Sequence, residues 1–193
     1  LEQSLEYEYK TMLTKDEYLA LLPFFHDGVK LVQVNYYFFL PERIQRQHRI
    51  TLRIRKLADQ YRLQMKEQTA PHTFLEHEVV LTEEAWQQAC ENNWQPNAIL
   101  ELLEENYQVK PAMLHYAGAL TTIRYEKREK LGLFCCDYNS YLDTEDYELE
   151  VEVEPGTALE ELHPFLYRYG ISYHQAAGKV ARFWQRLKAT KTK

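Results

Sequence analysis

The sequence predicts an α+β fold in which about eight antiparallel strands form the frame and a few short helices pack against it. Three observations lead there. Segments in which apolar and polar residues alternate with a period of two recur from one end of the chain to the other, as half-buried strands do. Helix-start signals fall between and after these segments. Among 193 residues, 45% are hydrophobic and only 6 are Gly and 7 Pro, which argues for a real core and against disorder, collagen or a linker-rich array. No internal repeat, low-complexity tract or linker interrupts the pattern, so residues 1–193 are expected to form a single domain.

Strands are expected near residues 4–11, 28–40, 48–57, 60–68, 72–80, 114–128, 131–138 and 144–154. Thr14-Lys15-Asp16-Glu17 reads as a capping box ahead of Tyr18, Leu19, Leu21 and Leu22. Thr82 is placed to cap a helix reaching about Asn92, with Glu83 and Glu84 well set in its first turn. Pro96 is expected to open another helix through about Glu105. Thr157 is expected to cap a segment to about Tyr169, and Ser172-Tyr173-His174-Gln175 reads as a second capping box for a helix running toward Lys188. The lysine-rich tail, Lys188 to Lys193, is expected to fray.

Composition also excludes function classes. With 23 Lys+Arg and 29 Asp+Glu the formal net charge is −6, which argues against bulk nucleic-acid binding but leaves room for a local basic pocket. No apolar run approaches the ~20 residues of a membrane-spanning helix, and the charged, alternating stretch Leu1 to Lys10 is unlike a signal peptide. The absence of an initiator Met points to a trimmed terminus. Three cysteines, two of them the adjacent Cys135 and Cys136, make no disulfide framework, so a reducing cytoplasm is the expected compartment.

The charged residues are patterned. On a strand, residues two apart share a face. Glu6, Glu8 and Lys10 therefore lie opposite Leu5, Tyr7 and Tyr9, and Arg53 and Arg55 lie opposite Leu52 and Ile54. Lys66 aligns with Gln64 and Arg62, and Glu148, Glu150, Glu152 and Glu154 alternate with Tyr147, Leu149, Val151 and Val153. Any one of these alone reads as the solvated face of an antiparallel sheet. Together they say more, because neighbouring like charges repel unless a ligand or metal offsets them. Acidic strands offer oxygen ligands for hard cations such as Mg²⁺, and basic strands offer donors for the phosphate oxygens those cations bridge. Rolled into a closed barrel, the polar face becomes an interior and the apolar face takes helices outside.

These residues resemble a known family. Glu6-Tyr7-Glu8-Tyr9-Lys10 is similar to the N-terminal Glu-x-Glu-x-Lys signature of CYTH proteins, the triphosphate tunnel metalloenzymes, which include thiamine triphosphatases, inorganic triphosphatases and class IV adenylate cyclases. Further likenesses follow in the family's order. Asn35-Tyr36-Tyr37-Phe38 resembles the second-strand motif, Leu52-Arg53-Ile54-Arg55 the paired-arginine strand, and Leu63-Gln64-Met65-Lys66 the strand ending in a phosphate-binding lysine. Thr122-Ile123-Arg124 sits where a basic strand is expected, Asp137 and Tyr147-Glu148-Leu149-Glu150 resemble the late acidic elements, and Gly178-Lys179-Val180-Ala181-Arg182-Phe183 resembles the lysine-bearing C-terminal helix. The likeness spans nearly the whole chain and has the character of a subgroup from Gram-positive bacteria.

The resemblance implies a closed barrel of about eight strands with helices outside. It implies Glu6, Glu8, Glu148 and Glu150 as ligands of Mg²⁺ or Mn²⁺, with Asp137 supporting the metal or the basic side chains. Lys10, Arg53, Arg55, Lys66 and Arg124 would grip a small-molecule triphosphate, and Lys179 would close the site near the phosphates, so that Glu6, Glu8, Lys66 and Lys179 carry catalysis. The sequence leaves open whether Glu152 and Glu78 reach the interior. One cation would orient the substrate and a second would activate the water that attacks the terminal phosphorus, releasing orthophosphate. The alternatives are a class IV type adenylate cyclase making cyclic AMP from ATP, and a non-catalytic binder of polyphosphate or nucleotide. The chain departs from the family in two places. Phe39 follows Phe38 where Asp is usual, and Thr122 stands where Lys is common, removing one expected phosphate contact.

Other candidates carry less. His72 and His77 are five apart beside Glu76 and Glu78, with Cys90 distant and no Cys-x-x-Cys, so no zinc site is expected. Cys135-Cys136, the helix-spaced Trp86, Ala89, Cys90 and Asn93, and the aromatics Phe24, Phe25 and Tyr36 to Phe39 read as packing. Arg43/Arg46 and Lys127/Arg128 read as solvated turns, and no Walker-type loop occurs. Neither nucleic acid nor membrane is an expected partner, and the amphipathic C-terminal helix is compatible with a monomer or a homodimer.

Overall fold

The structure, a computed structural model, describes residues 1–191. Eight strands, β1 (Glu2–Leu13), β2 (Val29–Phe39), β3 (Ile50–Leu57), β4 (Gln60–Ala70), β5 (Thr73–Leu81), β6 (His115–Glu129), β7 (Gly132–Tyr141) and β8 (Thr144–Val153), close into an antiparallel barrel. Their order is β1-β5-β4-β3-β2-β6-β7-β8. This is the expected α+β fold, with every strand within a few residues of its predicted span. By contacts the chain divides into two compact units, one of Leu1–Leu5 with Gln33–Leu120, the other of Glu6–Val32 with the chain from Thr121 onward.

In the first unit the register sets the two faces. Ile54 lies opposite Tyr36 on β2 and Leu63 on β4, and Leu52 lies opposite Phe38 and Met65. These apolar residues pack against Ala89 of α3 (Glu83–Cys90) and Ile99, Leu100 and Leu103 of α4 (Ala98–Tyr107). Each fully buried side chain of this size contributes roughly 1.5–3 kcal/mol. Thr82 caps α3 as expected, its Oγ1 accepting from Ala85 N at 3.1 Å. α4 starts later than predicted. Asn97, not Pro96, is its cap, because Asn97 Oδ1 accepts from both Ile99 N and Leu100 N at 3.1 Å, satisfying two amides that proline could only leave unfilled. The segment of Arg43 and Arg46, expected as a turn, is a helix, α2 (Glu42–His48), with Ile44 buried and Arg46 paired to Glu42 at 2.5 Å.

In the second unit Tyr9 faces Val151, Thr11 faces Leu149, and Phe134 and Cys136 flank the same β8 residues from β7. The apolar face continues through Tyr18 and Leu21 of α1 (Lys15–Leu21) and Leu166 of α5 (His163–Arg168). The Thr14 capping box forms: Glu17 N donates to Thr14 Oγ1 at 3.2 Å and Thr14 N to Glu17 Oε2 at 2.7 Å. The two later caps do not form as expected. Residues 157–169 hold a short 3-10 turn, Leu159–Leu162, ahead of α5, with Ala158 rather than Thr157 at its cap, its N donating to Glu161 Oε1 at 3.0 Å. The stretch from Ser172 runs along β1 instead of coiling. His174 N donates to Thr11 Oγ1 at 2.8 Å and Gln175 bridges Thr11, so the last helix, α6 (Lys179–Lys191), begins seven residues after Ser172. The helix includes part of the tail expected to fray; residues 192–193 lie outside the described residues. Cys90, Cys135 and Cys136 are free thiols, the last two buried. Among the described residues no helix is long and apolar enough to cross a membrane.

Candidate functional site

The polar side chains that alternate with these cores gather into one cluster in each unit. In the first unit, cross-strand pairing aligns Asn35 with Arg55, Tyr37 with Arg53, Arg53 with Gln64 and Lys66 with Glu76 on one face. Arg53 donates from Nε to Gln64 Oε1 at 2.8 Å and from Nη2 to Glu76 Oε2 at 3.3 Å. Gln64 in turn donates from Nε2 to Glu76 at 2.9 Å and to Glu78 at 2.6 Å, while Arg62 pairs with Glu78. Arg55 Nε donates to Asn35 Oδ1 at 3.1 Å, and the Lys66 ammonium lies 4.5 Å over the Phe74 ring. Gln64 thus acts as a spacer that orients one arginine and two carboxylates. Glu78 belongs to this face.

The second unit holds the acidic counterpart. Asp137, Glu148 and Glu150 are buried, and one carboxylate oxygen from each lies within 4.8 Å of the others. The Lys179 ammonium stands among all three, 2.8 Å from Asp137, 2.9 Å from Glu150 and in contact with Glu148. Arg124 makes a two-pronged bond to Asp137, 2.8 and 2.7 Å, and also pairs with Glu150. Lys10 reaches Glu150 at 2.7 Å and Glu8 at 3.5 Å. Arg182, one turn beyond Lys179 on α6, grips Asp146 at 2.8 Å and Glu148 at 2.5 Å.

Electrostatics follows the neighbours. Burial pushes the Asp137 carboxyl up, but the Arg124 guanidinium and Lys179 ammonium outweigh it and hold it below the usual aspartate range. Burial pulls Lys10 down, yet Glu150 and Glu8 leave it raised. Burial, helped by the charges of Arg124 and Lys10, draws the Lys179 ammonium well below its ordinary range, against the pull of Asp137. Glu152 faces Glu8 across the β1–β8 pair, and burial together with the charges of Glu6 and Glu8 pushes its carboxyl up to about 7. Glu152 therefore shares the face of Glu6, Glu8 and Glu150. β7 approaches β8 closely here, since a Cβ on Gly132 would lie 2.0 Å from the Glu152 carbonyl oxygen.

Of the residues singled out in sequence, the second unit brings Lys10, Arg124, Asp137, Glu148, Glu150 and Lys179 into one network. Glu8 joins it through Lys10, and Glu6 acts on it through Glu152. The first unit brings together Arg53, Arg55 and Lys66 on its own face. Thr122 is no loose end: its Oγ1 donates to Asn139 Oδ1 at 2.7 Å, and Asn139 Nδ2 donates to Asp146. Sequence reasoning missed Asp146, Arg182 and Glu76. Asp146 was findable, being two residues before Glu148 on the same strand face, and Arg182 lies at helical spacing from Lys179. Glu76 was findable in the same way, two residues before Glu78 on β5.

An all-oxygen set of buried carboxylates suits a hard divalent cation. One oxygen from each of Asp137, Glu148 and Glu150 lies close enough to the others to share one ion, which would take the place of the Lys179 nitrogen among them.

Known proteins resemble this chain over nearly its whole length. The CYTH domain profile matches residues 4–184. A Bacillus subtilis protein named as a candidate triphosphatase, YjbK, is 30% identical over 191 residues, covering 96% of this chain and 97% of its own. A crystal structure from Bacillus halodurans, described as a candidate adenylate cyclase, superposes with a TM-score of 0.82 at 27% identity, covering 95% of this chain and 99% of that one. HpAC1 from Hippeastrum, a candidate adenylyl cyclase described as having a dominant triphosphatase activity, shares the fold with a TM-score of 0.75 at 19% identity over 94% of this chain and 95% of its own.

Proposed function

The chain belongs to the CYTH family, and from that premise we propose that it is a divalent-metal-dependent triphosphate phosphohydrolase acting on inorganic tripolyphosphate or a nucleoside triphosphate. The observation that carries the reading is the buried carboxylate group of Asp137, Glu148 and Glu150 closed around the Lys179 ammonium. Charge of this density, taken out of water, is arranged for cations rather than for solvent.

In this reading Glu6, Glu8, Glu148 and Glu150, supported by Asp137, hold Mg²⁺ or Mn²⁺, and Glu152 belongs with them by its place beside Glu8. The bound cation supplies Lewis-acid charge neutralisation at the phosphate oxygens. The chain's own residues do the rest. Arg53, Arg55 and Lys66 bind non-bridging phosphate oxygens, Arg53 with its guanidinium plane already fixed by Gln64 and Glu76. Arg124 keeps Asp137 ionised, and Lys10 pairs with Glu150 and Glu8. Lys179, at the start of α6, closes the site near the phosphates, where its amine can donate to a phosphate oxygen. Water attacks the terminal phosphorus, the bond from that phosphorus to the bridging oxygen breaks, and orthophosphate and a diphosphate leave. Positioning and charge stabilisation account for most of such a reaction.

The test is phosphate release from tripolyphosphate, ATP, GTP and thiamine triphosphate with Mg²⁺ or Mn²⁺, alongside a cyclic AMP assay on the ATP reaction. Phosphate without cyclic AMP is the expected result. Cyclic AMP as the main product would transfer the chain to the cyclase reading, which the description of the Bacillus halodurans relative favours. No turnover of any of the four would sink both.

A further inference from the structure

Two side-chain amide nitrogens on β2 are left without an acceptor among the described residues. Asn35 is wholly buried and Gln33 is 3% exposed, yet among the described residues Asn35 Nδ2 and Gln33 Nε2 find no acceptor. Buried donors are nearly always satisfied by protein, by ordered water or by a ligand. For Asn35 the direction is fixed by chemistry. Arg55 Nε can only donate, so the amide oxygen of Asn35 must be the atom facing it at 3.1 Å, and the NH₂ group points away with two hydrogens unspent. Register puts both amides on the face that carries the arginines, since Asn35 pairs with Arg55 and Gln33, two residues earlier, shares its side of the strand.

We infer that Gln33 and Asn35 are substrate-binding residues, neutral donors that complete the grip of Arg53 and Arg55 on the oxygens of a polyphosphate chain. The inference rests on the triphosphate reading and adds two residues to it. Neutral donors suit this place. The face already carries Arg53, Arg55, Arg62 and Lys66, and further cations would repel them, whereas an amide adds a bond to a charged oxygen without adding charge. Two amides one strand repeat apart, about 6.8 Å, address different parts of an extended chain, so they favour a polyphosphate over a single phosphate.

The test uses initial rates of phosphate release from inorganic tripolyphosphate and from ATP with Mg²⁺, together with thermal melts. Gln33→Leu keeps the volume and removes the unpaired amide, so its melting temperature should hold or rise. Its KM should climb about tenfold while kcat falls by less than threefold, the signature of a lost binding contact. Asn35→Asp keeps an oxygen for Arg55 but turns the donor into a charged acceptor, and its KM should climb at least about a hundredfold with no loss of melting temperature. If Gln33→Leu and Asn35→Asp both keep KM within twofold of the wild type, the amides face water and the inference is overturned while the triphosphate reading stands. If the wild type itself turns over neither compound, the reading falls and takes the inference with it.

Discussion

Replacing Lys179 by methionine tests whether the carboxylate group is held together by that ammonium. The side chain keeps its bulk and loses its charge, leaving Asp137, Glu148 and Glu150 buried around an apolar tip. Removing one member of a buried ion pair costs about 3–5 kcal/mol, because the remaining charge is stranded. Here Arg124, Lys10 and Arg182 still reach the same carboxylates, which places the expected loss at the low end, about 3 kcal/mol. For a chain of this length that corresponds to roughly 6–12 °C in melting temperature, at about 2–4 °C per kcal/mol. The sign with pH is also fixed. Asp137 has a depressed carboxyl in the folded wild type, so its contribution is present above the ordinary aspartate value of 3.8 and is lost as pH falls through the lower folded value. The share of the gap that comes from Asp137 should therefore be lost as the solution is acidified below 3.8. Melts followed by circular dichroism in EDTA, at neutral pH and then in acid, provide the measurement. A variant that melts within about 2 °C of the wild type at neutral pH would show that the ammonium is incidental to the cluster.

Glu6→Gln and Glu8→Gln, each removing a single carboxylate, should abolish metal-dependent phosphate release while circular dichroism stays native; wild-type turnover by either would remove it from the metal ligands. Arg53→Lys loses the planar fork aligned by Gln64 and Glu76, and kcat/KM for tripolyphosphate should fall about 10- to 100-fold, as expected for charge-assisted bonds of about 1.5–3 kcal/mol; a change below twofold counts against phosphate binding there. Asn97→Ala removes the acceptor for two amides at the start of α4 and should cost about 1 kcal/mol in urea unfolding with no change in KM.

The strands were legible in the sequence because each keeps strict alternation over many residues: Leu52 and Ile54 against Arg53 and Arg55, Leu149 and Val151 against Glu148 and Glu150. Where the alternation fails, so does the reading. The Ser172 segment carries a sound capping box, but Thr11 on β1 offers its hydroxyl to His174 N, and that tertiary bond overrides the local preference. α2 was missed because a charged seven-residue stretch with one buried residue, Ile44, has almost no apolar period to read. For the candidate site, sequence could name charged residues but not their partners. That Glu150 is shared by Lys10, Arg124 and Lys179 depends on three separate elements arriving at one carboxylate, and no spacing along the chain encodes that. Cys135 shows the same limit: its neighbour Cys136 lies in the apolar core, whereas Cys135 pairs across to Glu150 on the polar side.

The balance of charge in each unit argues against the plain alternative of two solvated faces. Glu148 and Asp137 are fully buried and Glu150 is 6% exposed, so water does not discharge them. Two like charges about 7 Å apart on one strand face repel by roughly 2 kcal/mol at an effective dielectric of 20, and β8 stacks Glu148, Glu150 and Glu152 in such a row. The first two are met by lysine and arginine from β1, β6 and α6. Glu152 faces two more carboxylates, and its carboxyl is driven up to about 7. The second unit is thus short of positive charge. The first has the opposite deficit, with Arg53, Arg55, Arg62 and Lys66 set against Glu76 and Glu78. A face that buries an excess of one sign is costly unless its counter-ion arrives from solution. Under the triphosphate reading a divalent cation is the counter-ion for the acidic excess of the second unit, and phosphate oxygens are the counter-ions for the basic excess of the first.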